Sequence, residues 1–239
     1  MEVVAVTVAL VAIGLVPKLC RHRSSPCRIP GSARSGGESS PPGSSTVTAV
    51  TGRSELVHGV ELPGVCLEHP DVHPDQRGSF AEVYSADRPR GLESRQWSVV
   101  ASAAGSLRGM HLHLRHDECV SVITGEMAVG LYDLRPDSPT RGRSALYVLT
   151  EADLAVLTFP RGLVHGWVAH GPTKHLQGVS ETYANYKADD NAGCRWDDPA
   201  LDLPWPVTPT IVSERARSFG SLAELERGSD TSVLVLTGQ

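Results

Sequence analysis

The sequence predicts an all-β domain behind a structureless N-terminal tail, and three observations carry that reading. From about Arg53, short β-branched and apolar runs recur between turn signals: SVVASA, CVSVITG, EMAVGLYDL, SALYVLT, LAVLTF and GWVAHG. Such strands at frequent intervals, with little helical periodicity, read as a sandwich or barrel. Ahead of them, residues 24–46 (SSPCRIPGSARSGGESSPPGSST) have the Ser, Gly and Pro content of a disordered linker. The length of 239 residues suits one good-sized core, or one domain plus a tail.

The chain opens with an apolar run at residues 3–16, VVAVTVALVAIGLV. Its 14 residues fall short of the roughly 20 that a membrane span needs. Glu2 stands where a signal peptide carries a base, and no small-x-small cleavage site follows. Residues 1–52 therefore read as a disordered or mis-started tail, and 53–239 as the folded domain. Residues 1–53 hold six basic residues against Glu2 and Glu38, a balance of +4; the chain total of −5 leaves −9 for the rest. An acidic body excludes a general nucleic-acid binder. Cys20, Cys27, Cys66, Cys119 and Cys194 are odd in number, dispersed and without Cys-x-x-Cys spacing. That argues against a disulfide framework or structural zinc site and for a reducing, cytoplasmic setting. At the far end, Ser213–Arg227 reads as one or two short helices.

The chemistry gathers at His111, His113, Glu118 and His165. Strand side chains alternate faces, so His111 and His113 point the same way. A polar turn, Leu114-Arg-His-Asp117, then leads to a strand opened by Glu118. The expectation is a hairpin that returns Glu118 beside the two histidines. Pro160-Arg-Gly162 reads as a tight turn before the strand that carries His165. Three imidazoles and a carboxylate suit Fe(II), Mn(II), Ni(II), Cu(II) or Zn(II), and leave positions for water or substrate. Without a metal, the same histidines would line a polar pocket. His116, His170 and His175 are expected at the surface, Asp189-Asp190-Asn191 as a solvated turn, and Trp97 in the core.

The run from Gly105 through His111, His113 and Glu118 to Gly125, followed by Pro160, Gly162 and His165, resembles the two motifs of the cupin superfamily. The resemblance implies a jelly-roll barrel with its site in the mouth. Ala169 departs from the second motif, which usually ends in Asn.

Residues 58–227 resemble, within that superfamily, the dTDP-4-dehydrorhamnose 3,5-epimerase family. The matching stretches are Asp75-Gln-Arg-Gly-Ser-Phe-Ala-Glu82, Leu107-Arg-Gly-Met-His111, Asp133-Leu-Arg135, Ser138-Pro-Thr140, Pro160 through Gly166, Arg195-Trp-Asp-Asp-Pro-Ala-Leu201, Trp205-Pro206 and Val212-Ser-Glu-Arg215. The resemblance implies proton abstraction next to the ketone of a nucleoside-diphosphate 4-keto-6-deoxyhexose in deoxysugar biosynthesis. It also implies a homodimer, with elements shared across the interface. Within it, His111 matches the base and His165 the second active-site histidine. Arg77, Glu82, Gln96 and Arg108 match positions that hold the nucleotide, where an arginine fork suits a diphosphate.

Three family positions depart. The enolate-stabilising lysine is Glu118, and the aspartate that orients the base is Ala216. The proton-donor tyrosine falls at Ser180, with Tyr183 and Tyr186 close enough to serve. Exchange of lysine for glutamate completes the metal motif, so a divalent ion is expected to polarise the ketone in the lysine's place. Two alternatives stay open: a metal-dependent cupin of another class (dioxygenase, lyase or decarboxylase) acting on an activated sugar, and a non-catalytic nucleotide-sugar-binding paralogue.

Overall fold

Each apolar run becomes a strand, and the strands sort into two antiparallel sheets. The computed structural model describes residues 52–87, 92–186 and 190–229. The tail expected over residues 1–52, with its apolar run, lies outside them except for Gly52. In chain order the strands are β1 (Glu55–Gly59), β2 (Cys66–Glu68), β3 (Val72–Asp75), β4 (Gly78–Ala81), β5 (Gln96–Ser102), β6 (Ser106–Leu112), β7 (Glu118–Thr124), β8 (Glu126–Asp133), β9 (Ser144–Thr150), β10 (Val156–Phe159), β11 (Leu163–Ala169), β12 (Thr173–Val179), β13 (Ala192–Gly193) and β14 (Ile211–Val212). The helices are α1 (Tyr183–Tyr186), α2 (Glu214–Arg217) and α3 (Leu222–Gly228).

One sheet runs β1-β9-β8-β11-β6-β13, with β14 alongside β6 in parallel; the other runs β2-β10-β7-β12-β5. β3 and β4 form a separate hairpin. The result is a jelly-roll sandwich. The expected hairpin between the histidines and Glu118 does not form: β6 and β7 lie in different sheets. Residues 113–117 cross from one sheet to the other, so Glu118 reaches the histidines across the mouth of the sandwich.

Alternation decides what faces inward. Val120 and Val122 of β7, Val129 and Leu131 of β8, Leu157 and Phe159 of β10 and Trp167 of β11 fill the space between the sheets. On the opposite face of the first sheet, Met110, Leu112 and Val164 pack under Leu201, Leu222 and Leu225. His111 and His165 lie between these outward residues in sequence, so both point inward, and the register places them side by side. A Ser221–Glu224 capping box starts α3, and α2 begins at the N-cap Ser213. These are the short C-terminal helices the sequence predicts.

Two motifs prove to be scaffold. Asp133 is fully buried, and its carboxylate accepts hydrogen bonds from Arg135 Nε (2.9 Å) and Nη2 (2.7 Å), Ser138 Oγ (2.5 Å) and Thr140 Oγ1 (2.7 Å). Arg135 reaches on to the Pro63 carbonyl at 2.8 Å. This satisfied knot fixes the end of β8 beside the start of β11. Asp198, in the Arg195-Trp-Asp-Asp-Pro run, caps the 3-10 turn Pro199–Leu201 and accepts the Leu222 N–H at 2.8 Å, tying α3 down.

Candidate functional site

The mouth of the sandwich holds four buried or half-buried histidines around one carboxylate. His111 ends β6, His113 follows it, Glu118 opens β7 and His165 lies in β11. Gly162, at φ 85°, makes the turn expected before His165. Glu118 is 3% exposed. Its Oε1 lies 3.3 Å from His113 Nε2 and 3.1 Å from His116 Nε2. Its Oε2 lies 3.5 Å from His165 Nε2 and accepts from Gln177 Nε2 at 3.2 Å.

Two imidazoles have their tautomers set by the backbone. His113 Nδ1–H donates to the Asp190 carbonyl, and His165 Nδ1–H donates to the Leu163 carbonyl at 3.1 Å. In the neutral rings, both Nε2 lone pairs then face the Glu118 carboxylate. Lone pairs and carboxylate oxygens repel unless a cation lies between them. The ligand atoms of His113, Glu118 and His165 all lie within 4.8 Å of one another. Donors bound at about 2.1 Å around a tetrahedral ion stand about 3.4 Å apart; here His113 faces Oε1 at 3.3 Å and His165 faces Oε2 at 3.5 Å. This donor set fits a divalent transition ion.

His111, the fourth predicted ligand, does not join that group. Its ring centroid lies 6.0 Å from that of His113 and 6.4 Å from that of His165. Phe219 meets it edge-on at 5.8 Å. The segment where the family resemblance implies an orienting aspartate brings Ala216, Phe219 and Arg215, the last lying 5.6 Å from the Phe219 centroid. Burial, then the neighbouring His165, His113 and Arg215, pushes the His111 pKa down to about 3. Burial likewise takes His113 to about 4, with Glu118 pulling the other way. For Glu118, burial is outweighed by His165, His116 and His113, which hold it well below the usual carboxylate range.

Several side chains depart from the sequence reading. His116 and Asp190 are buried, at 1% and 4% exposure, and belong to the site. His116 Nδ1 lies 2.9 Å from Asp190 Oδ2. Burial opposes a charge on His116, but hydrogen bonds to Asp190 and Glu118 prevail and raise its pKa to about 9. His175 is fully enclosed, with neither ring nitrogen hydrogen-bonded, and meets the Trp167 ring edge-on at 5.1 Å. His170 pairs with Glu126. Trp97 is 37% exposed and packs against Tyr84.

Of the two candidate acids, Tyr186 stacks on His116 at 4.1 Å and 20°. Tyr183 is 54% exposed; its N–H donates to Gln96 Oε1 at 3.0 Å. Arg108, three residues before His111 on β6, has its guanidinium bonded to Ser102 Oγ and the Ala101 carbonyl, at the end of β5 away from the mouth. Arg77 and Glu82 are not brought into the mouth. Arg77, at the β3–β4 tip, is bound by Asp75. Glu82 lies by the groove of Phe80, Tyr84, Trp97 and Leu176 on the outer side of the second sheet.

A model of the dTDP-4-dehydrorhamnose 3,5-epimerase family matches residues 59–224. The chain is 31% identical to a dTDP-4-dehydrorhamnose 3,5-epimerase of Methanothermobacter thermautotrophicus, over 68% of this chain and 92% of that one. It is 32% identical to the spore coat polysaccharide biosynthesis protein SpsL of Bacillus subtilis, over 60% and 96%. Among solved structures, the dTDP-4-dehydrorhamnose 3,5-epimerase of Bacillus anthracis, with TDP and PPi bound, superposes with TM-score 0.61 at 31% identity, covering 69% of this chain and 99% of that one. The rmlC epimerase of Mycobacterium tuberculosis gives TM-score 0.65 at 26% identity, covering 72% and 91%.

Proposed function

The chain belongs to the dTDP-4-dehydrorhamnose 3,5-epimerase family, and from that premise we propose that it moves a proton next to the ketone of a dTDP-linked 4-keto-6-deoxyhexose. The observation that carries this reading is the pair of inward histidines, His111 and His165, in register on β6 and β11 inside a family-matched jelly roll.

The residues divide the work. Arg108 is the arginine whose guanidinium fork the family resemblance assigns to the diphosphate. His111 keeps its lone pair at neutral pH and is placed to take the α-proton. The charge of a bound diphosphate and the developing enolate both raise its low pKa toward a working value. The pKa of Tyr186 is raised, by burial first and then by Glu118. Its hydroxyl therefore stays protonated and serves to return a proton. His113, Glu118 and His165 would hold a divalent Fe, Mn, Ni, Cu or Zn ion, whose Lewis acidity would supply the positive charge that the family's lysine position lacks here.

The assembly belongs to the same reading. β5 is an edge strand, with Val99 (70% exposed) pointing outward and Phe80 (66%) and Ile123 (45%) also exposed. An exposed apolar edge of this kind invites a second copy, and a homodimer would give Arg77 and Glu82 a neighbouring mouth to serve. Sedimentation equilibrium is expected to return twice the chain mass; a monomer at micromolar concentration would overturn the dimer. Among the described residues Cys119 and Cys194 are buried free thiols, which supports a reducing cytoplasm, and no helix is long and apolar enough to cross a membrane.

Elemental analysis of the purified full chain, followed by incubation with dTDP-4-keto-6-deoxyglucose in heavy water, tests the reading. The expected result is bound transition metal and deuterium at C3 or C5. Metal without exchange favours the second reading, a metal-dependent cupin of another reaction class, for which the His113–Glu118–His165 group speaks. Neither metal nor exchange favours a binding protein without turnover.

A further inference from the structure

We infer that Asp190 and His116 act as positioning residues that fix the ligating faces of His113 and Glu118. The inference rests on the metal reading above and goes beyond it, because neither residue is a fixed position of either motif.

The contacts of Asp190 are unusually many for one loop residue. Its Oδ1 accepts the Leu114 N–H at 2.7 Å, and its Oδ2 accepts the Arg115 N–H at 3.1 Å and the His116 Nδ1–H at 2.9 Å. Its main-chain carbonyl takes the His113 Nδ1–H. One residue thereby pins the whole crossing between the sheets and selects the His113 tautomer whose Nε2 lone pair faces Glu118.

His116 carries the effect to the carboxylate. Both its nitrogens face carboxylate oxygens, of Asp190 at 2.9 Å and of Glu118 at 3.1 Å. Both ring nitrogens are thus engaged, and the ring bridges the two carboxylates. The ring stacks on Tyr186, at 4.1 Å and 20°, and lies 4.1 Å from the tilted ring of His113. With Gln177 on the other oxygen, Glu118 is held at both ends and presents a fixed plane to His113 and His165. A metal-binding histidine or carboxylate generally owes its orientation to such outer partners, and losing them weakens metal binding roughly 10–100-fold.

The test is a Co(II) titration of the metal-free full chain, followed by visible absorption, for wild type, Asp190→Asn, His116→Gln and the ligand control His113→Ala. Urea unfolding of the same samples scores only folded protein. The expected result is tight binding by wild type and loss in His113→Ala. Asp190→Asn and His116→Gln should bind about 10–100-fold more weakly, with an altered Co(II) spectrum. If Asp190→Asn does not fold, His116→Gln carries the test, since it leaves the Leu114 and Arg115 contacts intact. Wild-type binding matched within twofold by the folded positioning variants, with an unchanged spectrum, overturns this inference and leaves the metal reading standing. No Co(II) binding by wild type overturns the metal reading and the inference with it.

Discussion

Replacing Glu118 with glutamine is expected to empty the mouth of its metal and to lower the rate of deuterium exchange by about two to three orders of magnitude, the usual cost of removing one preorganised electrostatic group. The variant keeps the shape and removes the charge. Glu118 is the only carboxylate that faces His113 Nε2, His116 Nε2 and His165 Nε2 among the described residues. Without it, two lone pairs and an imidazolium converge with nothing anionic between them. Glu118→Lys is the more telling variant, because it introduces the residue type that the family resemblance implies there. It places a buried cation beside the His116 imidazolium and strands that cation, which should cost about 3–5 kcal/mol. Urea midpoints and exchange rates for the two variants check both statements. Full exchange by metal-free Glu118→Gln would remove any catalytic role for the ion.

Gly109→Ala is expected to cost about 2–5 kcal/mol, from a strained backbone position combined with overpacking. Gly109 sits at φ 127°, outside the range that side chains accept. A Cβ there would meet Gly166 Cα at 2.5 Å and the His165 carbonyl at 2.8 Å. Gly166 repays the approach: a Cβ on it would meet Met110 Sδ at 2.8 Å and the Arg108 carbonyl at 2.9 Å. β6 and β11 therefore touch backbone to backbone beside the bulge between His165 and Trp167. Prying them apart moves His111 from His165. The urea midpoint should fall at constant m-value, and exchange activity should fall even where the protein remains folded. An unchanged midpoint would show that the strands yield at no cost.

The strands were legible because burial between two sheets imposes alternation, and alternation is written locally. The offsets of His111, His113, Glu118 and His165 were legible for the same reason. What lay beyond local sequence was which sheet each strand joins: an alternating strand, a polar turn and another strand look the same whether they pair or cross over. His116 and Asp190 were hidden by a related limit. They lie 74 positions apart, and a polar turn and an Asp-Asp-Asn run both look solvated until folding buries each against the other. The interior place of His175 was equally invisible, since neither ring nitrogen has a hydrogen-bond partner to betray it.

The crossing of residues 113–117 has one more consequence. Glu118 belongs to one layer of the sandwich and His165 to the other, so whatever binds between them is a rivet through both layers. Its binding free energy adds to the cohesion of the native state by RT ln(1 + [L]/Kd). Occupancy and foldedness are then one linked equilibrium, and a chain starved of its ligand is also a looser chain.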